Sequence, residues 1–155
     1  MKKIMQAVAL VSLLILIGCV KRPAAPSGTA VEIADRVFEE SGVKHFGTTT
    51  SLQEDQSREY FLGTSDYPAF SDSVAISPLI NVDTRVLVII LAEEKSSVDA
   101  IETALKENID PNRLICVSFT MEDVAIESRG NVVFMTINTD AEQRQQLVDA
   151  FLTIE

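Results

Sequence analysis

Apolar residues along this chain follow different rhythms in different stretches, and each rhythm predicts a different element. Between Thr29 and Gly42 they recur as Val31, Ile33, Ala34, Val37 and Phe38, the three-and-four spacing of an amphipathic helix. Thr29-x-x-Glu32 is a capping-box pattern and Gly42 a stop, so a helix is predicted over about 30–41. Ser51-x-x-Glu54 repeats the box. It predicts a shorter helix through Tyr60 and Phe61 to Gly63, with Thr48-Thr49-Thr50 as its polar lead-in. Residues 64–72 (TSDYPAFSD) have turn formers and no period, which predicts a loop.

From residue 73 the period shortens. Val74 and Ile76 alternate within Ser73–Ile80, where Pro78 limits pairing. Arg85–Ala92 contains VLVIILA, an apolar run that suits a strand buried on both faces or packed under helices. Ser96 or Ser97 caps a helix over 97–107, with Val98, Ile101, Ala104 and Leu105 on one side and Asp110-Pro111 at its end. Leu114–Phe119 is a further strand candidate. Val124–Ser128 and Val132–Asn138 flank the turn Arg129-Gly130-Asn131 and predict a hairpin. Thr139-x-x-Glu142 then opens a last helix with Leu147, Val148, Phe151 and Ile154 inward.

The second half of the chain thus reads as strand–strand–helix twice. The expected fold is α+β: a mainly antiparallel sheet built from two strand–strand–helix units with helices packed on one face, plus an N-terminal helix. Its expected core is Val86, Val88, Ile90, Val133, Met135 and Ile137 against Ile101/Leu105 and Leu147/Phe151.

The first residues have another character. Lys2 and Lys3 precede a mostly apolar run from Ile4 to Ile17. At 1.5 Å per residue those fourteen positions span about 21 Å, short of the roughly 30 Å of a bilayer core. A short apolar core behind positive charge reads as a signal peptide over 1–18. It ends in Leu16-Ile17-Gly18-Cys19, which resembles the lipobox of bacterial lipoproteins. That resemblance implies cleavage between Gly18 and Cys19, diacylglycerol on the Cys19 sulfur, and an acyl chain such as palmitate on the new amino group. Residues 19–28 then read as the lipid-anchored cysteine and a flexible, partly polyproline linker, and 29–155 as one globular domain. The expected location is the cell membrane, lipid-anchored and facing the extracytoplasmic side.

Tyr60-Phe61-Leu62-Gly63, Arg85–Leu91 with the helix after it, Gly130-Asn131-Val132-Val133, and Thr139-Asp140 through Phe151 resemble small bacterial lipoproteins of the domain-of-unknown-function family 4358. The likeness covers about 30–153 and implies fold and location only, since the family supplies no activity. The stretch before the hairpin, where that family often has a Tyr-Pro pair, here reads Arg113-Leu114-Ile115-Cys116-Val117-Ser118-Phe119.

Composition narrows the partners. The 155 residues are 46% apolar, enough for one small core, and carry 23 acidic against 13 basic side chains. Loss of residues 1–18 removes two lysines and no acid, taking the net charge from −10 to −12. Nucleic acid is thereby disfavoured, because phosphate binding needs a basic footprint. An anionic bilayer repels such a domain, so lipid must do the tethering.

Catalytic chemistry finds few candidates. His45 is the single imidazole, no nucleophile elbow occurs, and Cys116 sits in an apolar context that suits a buried, inert thiol. Glu93-Glu94, Glu122-Asp123 and the Asp66/Asp72 pair have neither calcium-loop nor paired-carboxylate spacing. No catalytic residue, metal site or cofactor is assigned. Tyr67 and Phe70, aromatic side chains in a predicted surface loop, are the candidate partner-binding residues. The functional expectation is a non-catalytic binding or accessory module with an envelope protein or cell-wall partner. The alternative is a surface hydrolase or small-ligand-binding enzyme whose carboxylates converge only in three dimensions.

Overall fold

The computed structural model describes residues 24–80 and 82–155; the predicted leader, Gly18, Cys19 and Asn81 lie outside the described residues. Along them run α1 (Ala30–Ser41), β1 (Thr48–Ser51), α2 (Asp55–Leu62), β2 (Phe70–Ser77), β3 (Val86–Ala92), α3 (Val98–Asn108), β4 (Val124–Arg129), β5 (Val132–Ile137) and α4 (Ala141–Thr153). The five strands form one sheet in the order β1-β2-β3-β5-β4, every neighbouring pair antiparallel. The α+β class and both strand–strand–helix units, β2-β3-α3 and β4-β5-α4, are present.

The placement of the helices differs from expectation. Along β3 the side chains alternate between two cores. Leu87 and Ile89 join Val74, Ile76, Val132 and Phe134 beneath α1 and α4. Val86, Val88, Ile90 and Ala92 join Val133, Met135 and Ile137 beneath α2 and α3. Helices therefore cover both faces, not one. The six strand residues expected to share a face do share it, and they meet Ile101 and Leu105; Leu147 and Phe151 pack on the other side. The reason is the strand itself, since seven apolar residues in succession put as much apolar surface on one face as on the other.

This arrangement also bears on whether the two units are a duplication. Superposing β2-β3 on β4-β5 takes a two-fold rotation normal to the sheet, because the inner strands are adjacent and antiparallel. Such a rotation leaves each face where it was, yet α3 and α4 lie on opposite faces. The two units have opposite hands.

Local chemistry sets the element ends. Thr29 and Glu32 form the predicted capping box, and Gly42 ends α1 in the left-handed conformation. A third cap comes from far along the chain: Asp72 Oδ2 accepts the Ala30 amide at 2.7 Å. A bulge between Phe70 and Asp72 makes this possible. It moves Phe70 onto the α2/α3 face, although Val74 and Ile76, at even positions like it, face α1.

The second and third capping boxes are corrected. Ser51 belongs to β1, a short Thr/Ser edge strand, and α2 starts only at Asp55 with Glu54 before it making no side-chain cap bond. For α4 the cap is Asp140, one residue beyond Thr139, whose carboxylate accepts from the amides of Glu142 and Gln143. Leu114–Phe119 is not a strand. Its Phe119 amide turns back to the Pro111 carbonyl at 3.3 Å, closing the segment on itself.

Two buried faces make a specific expectation. Ile90 and Leu87 are both 0% exposed. Ile90→Ala and Leu87→Ala should each lower stability by about 2–5 kcal/mol in urea unfolding. A sheet covered on one face would show that loss for only one of them.

Candidate functional site

Chemically distinctive groups collect at opposite ends of the sheet. At one end β3 runs out into residues 93–97 and the β4–β5 hairpin turns. The last residue of β4, Arg129, is 4% exposed and has no carboxylate partner among the described residues. Its Nη1 donates to the carbonyls of Phe151 at 2.7 Å and Ile154 at 2.6 Å, the open C-terminal end of α4. The helix dipole places partial negative charge there, so the guanidinium is neutralised by oriented carbonyls. The guanidinium also lies 6.0 Å from the Phe151 ring centroid. Burial lowers its pKa from the usual arginine value, and Nε finds no acceptor among the described residues.

A further Arg129 donor reaches the chain's N-terminal segment, with Nη2 donating to the Ala24 carbonyl. Ala25 rests on the hairpin turn, where a Cβ on Gly130 would come within 2.6 Å of the Ala25 Cβ. Gly130 has φ +63°, so two independent constraints call for glycine. Pro26 is buried and Arg36 donates to the Ser27 carbonyl. Residues 24–28, expected as flexible linker, are thus fastened to the domain.

The opposite end is apolar. The β2–β3 connection exposes Leu79 (82%), Ile80 (60%) and Val82 (57%), and the segment before β4 exposes Ile115 (91%). Ile80, Val82 and Val117 line one open concavity with Asp83, Thr84, Ser118 and Thr139, so the two loops are neighbours. Asp83 and Arg85 brace the first loop through paired hydrogen bonds, and the Arg85 guanidinium holds the Asp83 carboxyl below the usual carboxylate range. The second loop is held by Arg113, whose guanidinium lies 5.5–5.9 Å from the ring centroids of Phe119, Tyr60 and Phe61.

The candidate partner-binding pair from the sequence is corrected. Phe70 is buried in the α2/α3 core, carried there by the bulge. Tyr67 is half-buried, packs against that core and donates its hydroxyl to the Leu62 carbonyl at 3.0 Å; burial raises its phenol pKa above the ordinary tyrosine value. Both fold back to cover the sheet. Cys116 is exposed and not buried, because its segment is a loop and not a strand.

The polar candidates are scattered. His45 is exposed beside Phe38, and Asp66, Glu93, Glu94 and Glu122 are exposed. Asp72 caps α1, and Asp123 caps the turn before β4, accepting from Thr120. Among the described residues no three His, Cys, Asp or Glu side chains gather as metal ligands, and no helix is long and apolar enough to cross a membrane.

Comparison with protein-family models, with curated proteins and with solved structures finds no match. Sequence reasoning passed over Arg129 because its partners lie 22 and 25 residues later and 105 earlier. The apolar loop did leave a trace, since Leu79-Ile80 stands between Pro78 and Asn81-Val82-Asp83, where a turn has no core to fill.

Arg129→Met should lower stability by about 1–3 kcal/mol, from carbonyls left without donors. Arg129→Lys should not restore it, because an ammonium lacks the planar fork that reaches separate carbonyls at once. Thermal or urea unfolding of both variants checks this. The double change Tyr67→Ser with Phe70→Ser should lower the unfolding midpoint clearly, with Phe70 alone contributing on the order of 3–5 kcal/mol.

Proposed function

We propose that this chain is a lipid-anchored extracytoplasmic lipoprotein, resembling domain-of-unknown-function family 4358, that serves the cell envelope as a non-catalytic binding or accessory module. The observation that carries the reading is Leu16-Ile17-Gly18-Cys19 behind Lys2, Lys3 and an apolar run of signal-peptide length. The chemistry needs a thiol at that position, with small and apolar residues before it. Several acyl chains at about 0.8 kcal/mol per buried methylene then hold the domain against its own negative charge.

The exposed apolar loops around Ile80 and Ile115 support the binding half of the reading. Large apolar side chains kept in water on adjacent loops mark interaction surfaces more often than single exposed residues do. The partner is an envelope protein or a cell-wall component.

Cys19→Ser tests the anchor. It should abolish incorporation of a fatty-acid probe and leave an unprocessed precursor of full length. Equal labelling of wild type and variant would remove the basis of the proposal.

A further inference from the structure

We infer that the Arg129 end of the sheet faces the bilayer and that the apolar loops around Leu79 and Ile115 point away from it. This rests on the lipid-anchor reading and adds an orientation to it.

Chain length sets this orientation. Ala24 is held by Arg129, Ala25 lies on Gly130 and Pro26 is buried, so the tether meets the domain at Ala24. Cys19 precedes it by five residues, which reach about 17 Å when fully extended. From the Ala24 end to the far end the seven residues of β3 alone cover about 20 Å or more, and the apolar loops stand beyond its first residue. An anchor in the membrane therefore holds Ala24, Gly130 and the neighbouring Lys95 close to the headgroups. A domain lying on its side would bring the acidic outer faces of its helices onto the bilayer. Glu32, Asp35, Glu39 and Glu40 of α1 are exposed on one side, and Asp55 and Glu59 of α2 with Glu107 of α3 on the other, while Glu93, Glu94 and Asp99 stand beside Lys95 at the Ala24 end. An anionic surface repels both sides, whereas at the Ala24 end the charges of Lys21, Arg22 and Lys95 offset those of Glu93, Glu94 and Asp99.

The apolar loops are then not a second membrane anchor. They are presented outward, within reach of a partner that approaches from beyond the anchoring bilayer.

Quenching by lipid tests this on the mature, lipidated chain. In a Cys116→Ser background, Lys95→Cys or Leu79→Cys carries a fluorophore, both being exposed positions. The protein is reconstituted in phosphatidylglycerol/phosphatidylethanolamine vesicles containing a headgroup nitroxide lipid. Flotation reads attachment separately. The label at 95 should be quenched several-fold more than the label at 79. Ten Gly/Ser residues inserted between Pro23 and Ala24 should erase the contrast. Equal quenching in floating protein, stronger quenching at 79, or a contrast that survives the insertion would overturn the orientation while leaving the anchor standing. Failure to float would remove the anchor and the orientation with it.

Discussion

Seven apolar residues in succession, Val86 to Ala92, leave β3 with no face that water can occupy, and most of the architecture answers that constraint. Two apolar faces need two covering layers, and four amphipathic helices supply them in pairs, α1 with α4 and α2 with α3. Because the chain must visit both sides, its two strand–strand–helix units send their helices opposite ways and acquire opposite hands. Residues between the elements do the local fitting. The bulge beside Ser71 delivers Phe70 to one core and Asp72 to the N-terminus of α1 on the other side.

Much of this was legible in the sequence wherever short-range chemistry decides the outcome. The Thr29/Glu32 box, the hairpin about Gly130 and the shared face of Val86, Val88 and Ile90 all depend on residues a few positions apart. The misreadings share a cause as well, in that distant residues settled them. Ser51-x-x-Glu54 has the spacing of a cap, but Ser51 is taken into an edge strand by pairing with Val74. The aromatic residues of 64–72 look available until a bulge and the α2/α3 core claim them. The apolar run Leu114–Val117 suits a strand, yet Arg113 and Phe119 turn inward while Ile115 and Cys116 face solvent. An apolar run also states how much surface must be covered without saying by which helix.

The functional picture follows from which end of the sheet carries what. One end is a fastening, where Arg129 joins the close of α4, the hairpin and the N-terminal segment through backbone carbonyls. Using carbonyls spares the domain a buried carboxylate and adds to the packing of α1 on α4 a polar tie between the segment before α1 and the close of α4. The other end keeps Leu79, Ile80, Val82 and Ile115 in water, at a cost in solubility that an interaction would offset. In the proposed setting, the fastening end takes the load of the lipid tether and the apolar end stays free.

Residues 24–28 are a built part of the domain and not slack linker, and truncation tests this most directly. Urea unfolding of a chain starting at Ala24 is compared with one starting at Thr29. The shorter chain should lose about 1–3 kcal/mol, through the lost Arg129–Ala24 bond and the uncovered hairpin. Identical midpoints and slopes for the two chains would contradict it.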